Sequence, residues 1–138
     1  MDEAAGAVTF VWLGMVLAIS FLEAPLKFRA PGVTIQVGLG IGRLVFRVLN
    51  LVESVLAAAV VVLVALGDAP ARVTVWTVAP VVLLAGQLAL VRPRLNRRSD
   101  RVLAGEELPR SRGHVVYIAF EIAKVLALVG LGVTLLAR

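Results

Sequence analysis

The chain contains no cysteine and a single histidine, His114. The first absence excludes disulfides, thiolate catalysis and cysteine-ligated metal sites; the second excludes a multi-histidine metal centre. Charge is scarce: 17% of residues are Asp, Glu, Lys or Arg, whereas 60% are apolar. Soluble domains run at about 45–50% apolar. An excess of this size, with a mean hydropathy of +0.97, cannot be hidden in the core of one 138-residue soluble domain. Lipid is the expected solvent, and a single domain is the expected organisation. A basic opening, as in a cleaved signal peptide, is also missing. The chain starts Met-Asp-Glu-Ala-Ala-Gly-Ala, so the first apolar run reads as a retained helix.

What is there is organised in four apolar stretches. They predict an all-α membrane protein with transmembrane helices over about 8–26, 43–66, 73–91 and 115–136. A helix rises about 1.5 Å per residue, so about 20 residues cross a hydrocarbon core near 30 Å thick. The β-branched run Ala57-Ala58-Ala59-Val60-Val61-Val62 would favour a strand in water. In lipid a lone strand leaves its backbone groups unsatisfied, so helix is expected there as well.

The connections differ. Pro25 and Pro31 are expected to break the first helix, and Gly38, Gly40 and Gly42 to loosen the approach to the second. Gly67-Asp68-Ala69-Pro70 reads as a tight turn. The segments 27–42 and 92–114 are expected as basic cytoplasmic loops, the second holding seven arginines from Arg92 to Arg112. With an acidic N-terminus and no lysine or arginine in the tight turn, the positive-inside rule predicts an antiparallel bundle with both termini outside, in the inner (cytoplasmic) membrane. Trp12 and Trp76 fit an aromatic belt at the outer interface. Because the net charge of +5 gathers in two loops, it reads as topology rather than as a nucleic-acid surface. Neither a nucleic-acid partner, a cofactor nor a metal is expected. The basic loops are candidates for anionic lipid headgroups, and a homo-oligomer is expected because four helices alone enclose little polar volume.

Polar residues inside the spans are the best pointer to function. An ionisable side chain in hydrocarbon costs about 2.5–3.5 kcal/mol even on the lenient insertion scale. The fourth span carries His114, Tyr117, Glu121 and Lys124 at spacings that place them on one helical face. The second carries Arg43, Arg47, Asn50 and Glu53 on one face, and the end of the first carries Ser20, Glu23 and Lys27. Counted from the cytoplasmic end, Glu121 lies roughly 9 Å deep, Lys124 roughly 14 Å and Glu53 about 6 Å if its span starts at Leu49. The stripes predict a polar vestibule open to the cytoplasm. Their charges balance, Glu23, Glu53 and Glu121 against Arg43, Arg47 and Lys124, so interhelical pairing explains them equally well. Arg43, Arg47 and Lys27 also fit the snorkelling of interfacial residues. Gly130 and Gly132 are expected at a close helix contact.

Ala24-Pro25 with Phe28, then Gly42-Arg43-x-Val45-Phe46, Arg92-Pro93-x-Leu95 and His114, resemble a family of small four-helix membrane proteins of unknown activity. Its best-known animal member is a transmembrane protein linked to cisplatin resistance. The resemblance implies the four-span fold and no molecular activity. Asn50-Leu51-Val52-Glu53 resembles the glutathione-contacting segment of the membrane-associated eicosanoid and glutathione metabolism family. Members of that family are trimeric, and Arg47 here stands three residues before Asn50 instead of four. That resemblance implies a thiol-cofactor site at Arg43, Arg47, Asn50 and Glu53.

Three functions are compatible with these features. The first is binding or transport of a small solute or ion at Glu53, Glu121 and Lys124, with Arg43 and Arg47 attracting an anionic group at the mouth. The second is a glutathione- or lipid-dependent enzyme. The third is an accessory subunit whose charges hold helices together.

Overall fold

The computed structural model describes residues 2–105 and 112–137, without the side chains of residues 112–114. Among the described residues there is no strand. Four long helices carry the chain: α1 (Asp2–Arg29), α2 (Ile35–Leu66), α3 (Ala71–Leu103) and α4 (Arg112–Leu136). Each is long and apolar enough to cross a membrane, α4 from Val115, so this is a multi-pass membrane protein. Large apolar side chains such as Leu44, Leu51, Val55, Val75, Leu126 and Leu136 are exposed, as a lipid-facing surface requires. Most of the interior is apolar too, built on Trp12, Val16, Val60, Val73, Leu128 and Leu131, all fully buried.

The connections follow from local chemistry. Ala30 to Val33 form a turn closed by the Val33 N–H on the Ala30 carbonyl at 3.2 Å. Pro31 takes its second position, and Gly32, at φ +82°, takes its third; only glycine sits there without strain. Thr34 then caps α2, its hydroxyl accepting from the Val37 N–H at 3.1 Å. At the other end, the Gly67 to Pro70 turn joins α2 to α3, with Pro70 at the N-cap of α3.

Pro25 does not end the first helix. It lies within α1, immediately after a π-helical segment, Leu17–Glu23. A second π-helical segment, Gln87–Val91, comes immediately before Arg92 and Pro93 in α3. In each case the N–H one residue before the proline donates five residues back, Ala24 to Ile19 and Arg92 to Gln87. Proline has no N–H and clashes with the carbonyl four residues back; a widened turn removes the clash. Two further expectations are corrected. Gly38, Gly40 and Gly42 lie inside α2. Gly38 and Gly42 make room for the Phe28 ring and the Lys27 ammonium, since a Cβ there would stand 2.2 and 2.8 Å from them. The segment after residue 92 begins as helix through Leu103, not as loop.

The helices pack in chain order, α1 on α2 and α2 on α3, and α4 closes against both α3 and α1. The expected close contacts of α4 are present. A Cβ on Gly130 would stand 2.3 Å from the Trp76 ring, and one on Gly132 would stand 2.6 Å from Phe10.

Candidate functional site

Lys124 lies near the middle of α4 with its side chain fully buried. A buried ammonium is tolerated only with good partners for its charge and its protons. Its Nζ lies 2.6 Å from Glu53 Oε1 and 2.6 Å from Glu121 Oε1, and it donates to Gln87 Oε1 at 2.7 Å. Both carboxylates are themselves anchored. Glu121 Oε1 accepts from Gln87 Nε2 at 2.6 Å, and its Oε2 accepts from Ser20 Oγ at 2.5 Å. Glu53 Oε1 accepts from Trp12 Nε1 at 2.9 Å. Glu53 Oε2 is buried without a hydrogen-bond partner among the described residues. Every helix contributes: Trp12 and Ser20 from α1, Glu53 from α2, Gln87 from α3, Glu121 and Lys124 from α4. Three threonines within the helices are satisfied locally. Thr9, Thr77 and Thr134 each donate to a carbonyl four residues back on their own helix.

The cluster is not sealed from the rest of the molecule. Glu121 and Ser20 also line a cavity of about 1320 Å³. Away from them the wall carries Lys27, Arg43, Arg92 and Arg98, set among Phe21, Phe28, Leu39, Phe46 and Ile118. The cations are ordered by aromatic rings. The Arg92 guanidinium lies 4.9 Å from the Phe46 ring centre and 4.5 Å from that of Tyr117. Those rings meet edge to face at 5.7 Å. Lys27 Nζ is 5.5 Å from the Phe28 ring and 5.8 Å from that of Phe46.

Of the residues singled out from sequence, Glu53, Glu121 and Lys124 come together. They converge on one another, and through Glu121 on a cavity as well. Tyr117 is buried against Phe46 and Arg92 in the cavity wall. Glu23 stands apart, 3.9 Å from Lys27 in a helical pair. Arg43 is ion-paired with Asp100 of α3. Arg47 is exposed, and Asn50 is half-buried with its carbonyl accepting from Ser54. Of Arg43, Arg47, Asn50 and Glu53, only Arg43 lines the cavity. The backbone of His114 belongs to the first turn of α4, and its side chain lies outside the described residues.

Three participants were not anticipated. Trp12, expected in an interfacial belt, is fully buried and donates to Glu53. Gln87 carries the sole side-chain amide in the third apolar stretch, a signal that was available. Arg92 reads in sequence as one more loop arginine, yet it sits on two aromatic rings. Among the described residues no cluster of His, Asp or Glu suits a metal ion. Comparison with known proteins adds no relative: no family model, curated protein or solved structure matches the chain.

Proposed function

We propose that this membrane protein binds a small solute or ion in the cavity and that occupancy acts on the Glu53–Lys124–Glu121 cluster. The observation that carries this reading is the double membership of Glu121. Its Oε1 belongs to the ion cluster and its Oε2 is held by Ser20, while the residue forms part of the cavity wall. Two carboxylates share one ammonium, so with all three ionised one negative charge is left over. In a water-poor interior such a charge is costly. A proton or small cation arriving through the cavity at Glu121 completes the balance. The cavity lies within one chain, so an oligomer is not needed to build it. The orientation belongs to the same proposal: an antiparallel bundle of the inner membrane, its cavity facing the cytoplasm, supported by the basic residues at that end.

One observation favours a second reading, a structural cluster that locks the four helices. The Lys124 ammonium has three protons, and three protein acceptors take them. The two readings part on Glu121→Gln. A thermal-shift screen of inorganic ions, carboxylates and phosphates, paired with flux into proteoliposomes, compares wild type with this variant. Under the binding reading a solute raises the wild-type Tm or crosses the membrane, and the variant stays folded but loses the response. If wild type shows neither response, and the variant changes only stability, the cluster is structural.

A further inference from the structure

The cavity wall is unequal along its length. Its inner end carries Glu121 and Ser20, which bond each other. Its remaining charged residues are cations, and Glu121 is the sole acid among the described wall residues. Arg43 is answered by Asp100, and Lys27 lies 3.9 Å from Glu23. Arg92 is different. Its Nε and Nη2 are shielded from solvent yet have no hydrogen-bond partner among the described residues, and the same is true of the Tyr117 hydroxyl. A buried donor left unmatched costs about 1–3 kcal/mol, and more when charged. Both groups line the cavity, and their rings and guanidinium are already stacked. The Tyr117 oxygen can take one Arg92 proton, which leaves the guanidinium without a carboxylate partner among the described residues.

The chemistry of the missing acceptor is constrained. A guanidinium is a planar fork that matches two oxygens of a carboxylate or phosphate. Lys27, beside the same Phe46 ring, adds a second positive charge. Part of the wall is hydrocarbon: Phe21, Phe28 and Ile118 offer no polar group and are themselves about 40% exposed. At about 1320 Å³ the space exceeds the roughly 300–1,000 Å³ of ordinary small-molecule pockets. We infer that the cavity takes an amphipathic anion, its carboxylate or phosphate head on Arg92, Tyr117 and Lys27 and its apolar tail along the Phe21, Phe28 and Ile118 wall. This rests on the cavity being a binding site, and it names the class of ligand.

The test is thermal unfolding of the full chain in neutral maltoside micelles, titrated with laurate, dodecyl phosphate, phosphatidic acid, inorganic phosphate and dodecyltrimethylammonium. The expected result is a saturable rise in Tm with the tailed anions and little with inorganic phosphate or the cationic amphiphile. Arg92→Gln weakens the apparent affinity at least tenfold, and Arg92→Lys recovers part of it. If Arg92→Gln does not fold, Tyr117→Phe serves in its place, with a few-fold weakening expected. A stronger response to phosphatidic acid identifies a bilayer lipid as the source, and a stronger response to laurate or dodecyl phosphate identifies a free single-chain anion; both support the head-group assignment. The inference is overturned if the cationic amphiphile stabilises equally, or if Arg92→Gln and Tyr117→Phe leave the anion response unchanged. It is also overturned if no tailed anion acts while another solute binds in a Glu121-dependent way, which leaves the cavity reading standing. If no probe of any class binds, both readings fall.

Discussion

Lys124 of α4 and Glu53 of α2 meet inside the helix packing with Nζ 2.6 Å from Oε1 and neither side chain exposed. Breaking one side of a buried pair leaves an uncompensated charge and typically costs about 3–5 kcal/mol. Lys124→Met is the severe case, because Glu53 and Glu121 then face each other without the ammonium between them. We expect it to lower unfolding stability by that amount. Adding Glu53→Gln to it should recover part of the loss. A double-mutant cycle measured by unfolding in mixed micelles should give a coupling of about 0.5–3 kcal/mol. Strict additivity of the two changes would show that the pair does not interact.

Trp12 supplies the hydrogen bond on the other side of Glu53, at 2.9 Å. Trp12→Phe keeps an aromatic ring in the fully buried site but removes the N–H. A hydrogen bond to a charged group is worth about 1.5–3 kcal/mol, and the lost ring volume adds to the cost. Trp76→Phe is the control, since Trp76 is partly exposed and has no side-chain hydrogen bond among the described residues. Trp12→Phe should therefore be clearly the more destabilising of the two. Equal effects would mean that the indole N–H contributes nothing.

The contrast between these residues explains how far the site was legible in sequence. Glu53, Glu121 and Lys124 stand out because a charge within an apolar run is costly wherever it points, and the chain had few places to pair it. Tryptophan is ambiguous: an amphipathic ring about one turn inside a helix suits an interface or a core equally. Only the structure shows that Trp12 faces a carboxylate. Gln87 is uncharged, so no cost of burial marks it out, although it continues the buried face of Val73, Thr77, Pro80 and Leu84 at regular helical spacing. The four long helices were legible from apolar length alone. Their ends were not, because α1 passes through Pro25 and α3 continues past Pro93 in arginine-rich sequence.

The glycines of α4 offer a test of packing that is independent of charge. A Cβ on Gly130 would stand 2.3 Å from Trp76, and one on Gly132 would stand 2.6 Å from Phe10. Forced overpacking costs about 1–3 kcal/mol, so Gly130→Ala and Gly132→Ala should each lower Tm. Gly14 has nothing within 4 Å of its Cβ position and lies in a regular stretch of α1. Alanine is favoured over glycine in a helix by about 1 kcal/mol, so Gly14→Ala should be neutral or stabilising. A uniform response at all three positions would refute the close helix approach.

Arg43 and Asp100 form an ion pair of the opposite kind, at the exposed end of α2 and α3, with side chains 38% and 59% exposed. Solvent-exposed pairs contribute about 0–1 kcal/mol. Arg43→Gln and Asp100→Asn should each leave Tm nearly unchanged, and raising the salt concentration should erase the residual effect. A large loss of stability in either variant would show that this pair, and not the buried cluster, fastens α2 to α3.

Pro93 connects local sequence to the buried cluster most directly. Its missing N–H and its ring favour the π-helical turn Gln87–Val91, and the residue at the start of that turn bonds both Lys124 and Glu121. A π-helical turn accommodates an extra residue, so annealing it into α-helix rotates one flank of the helix against the other by about 100°. Pro93→Ala restores the donor and removes the clash, which lets the turn anneal. Gln87 continues the buried face of Val73, Thr77, Pro80 and Leu84 at regular spacing, so the rotation falls on the flank that carries Arg92. Gln87→Leu deletes the hydrogen bonds to Lys124 and Glu121, at about 1.5–3 kcal/mol for each bond to a charged group. The two losses should therefore add within about 0.5 kcal/mol. A double variant no less stable than the worse single variant would show instead that the proline holds Gln87 in place.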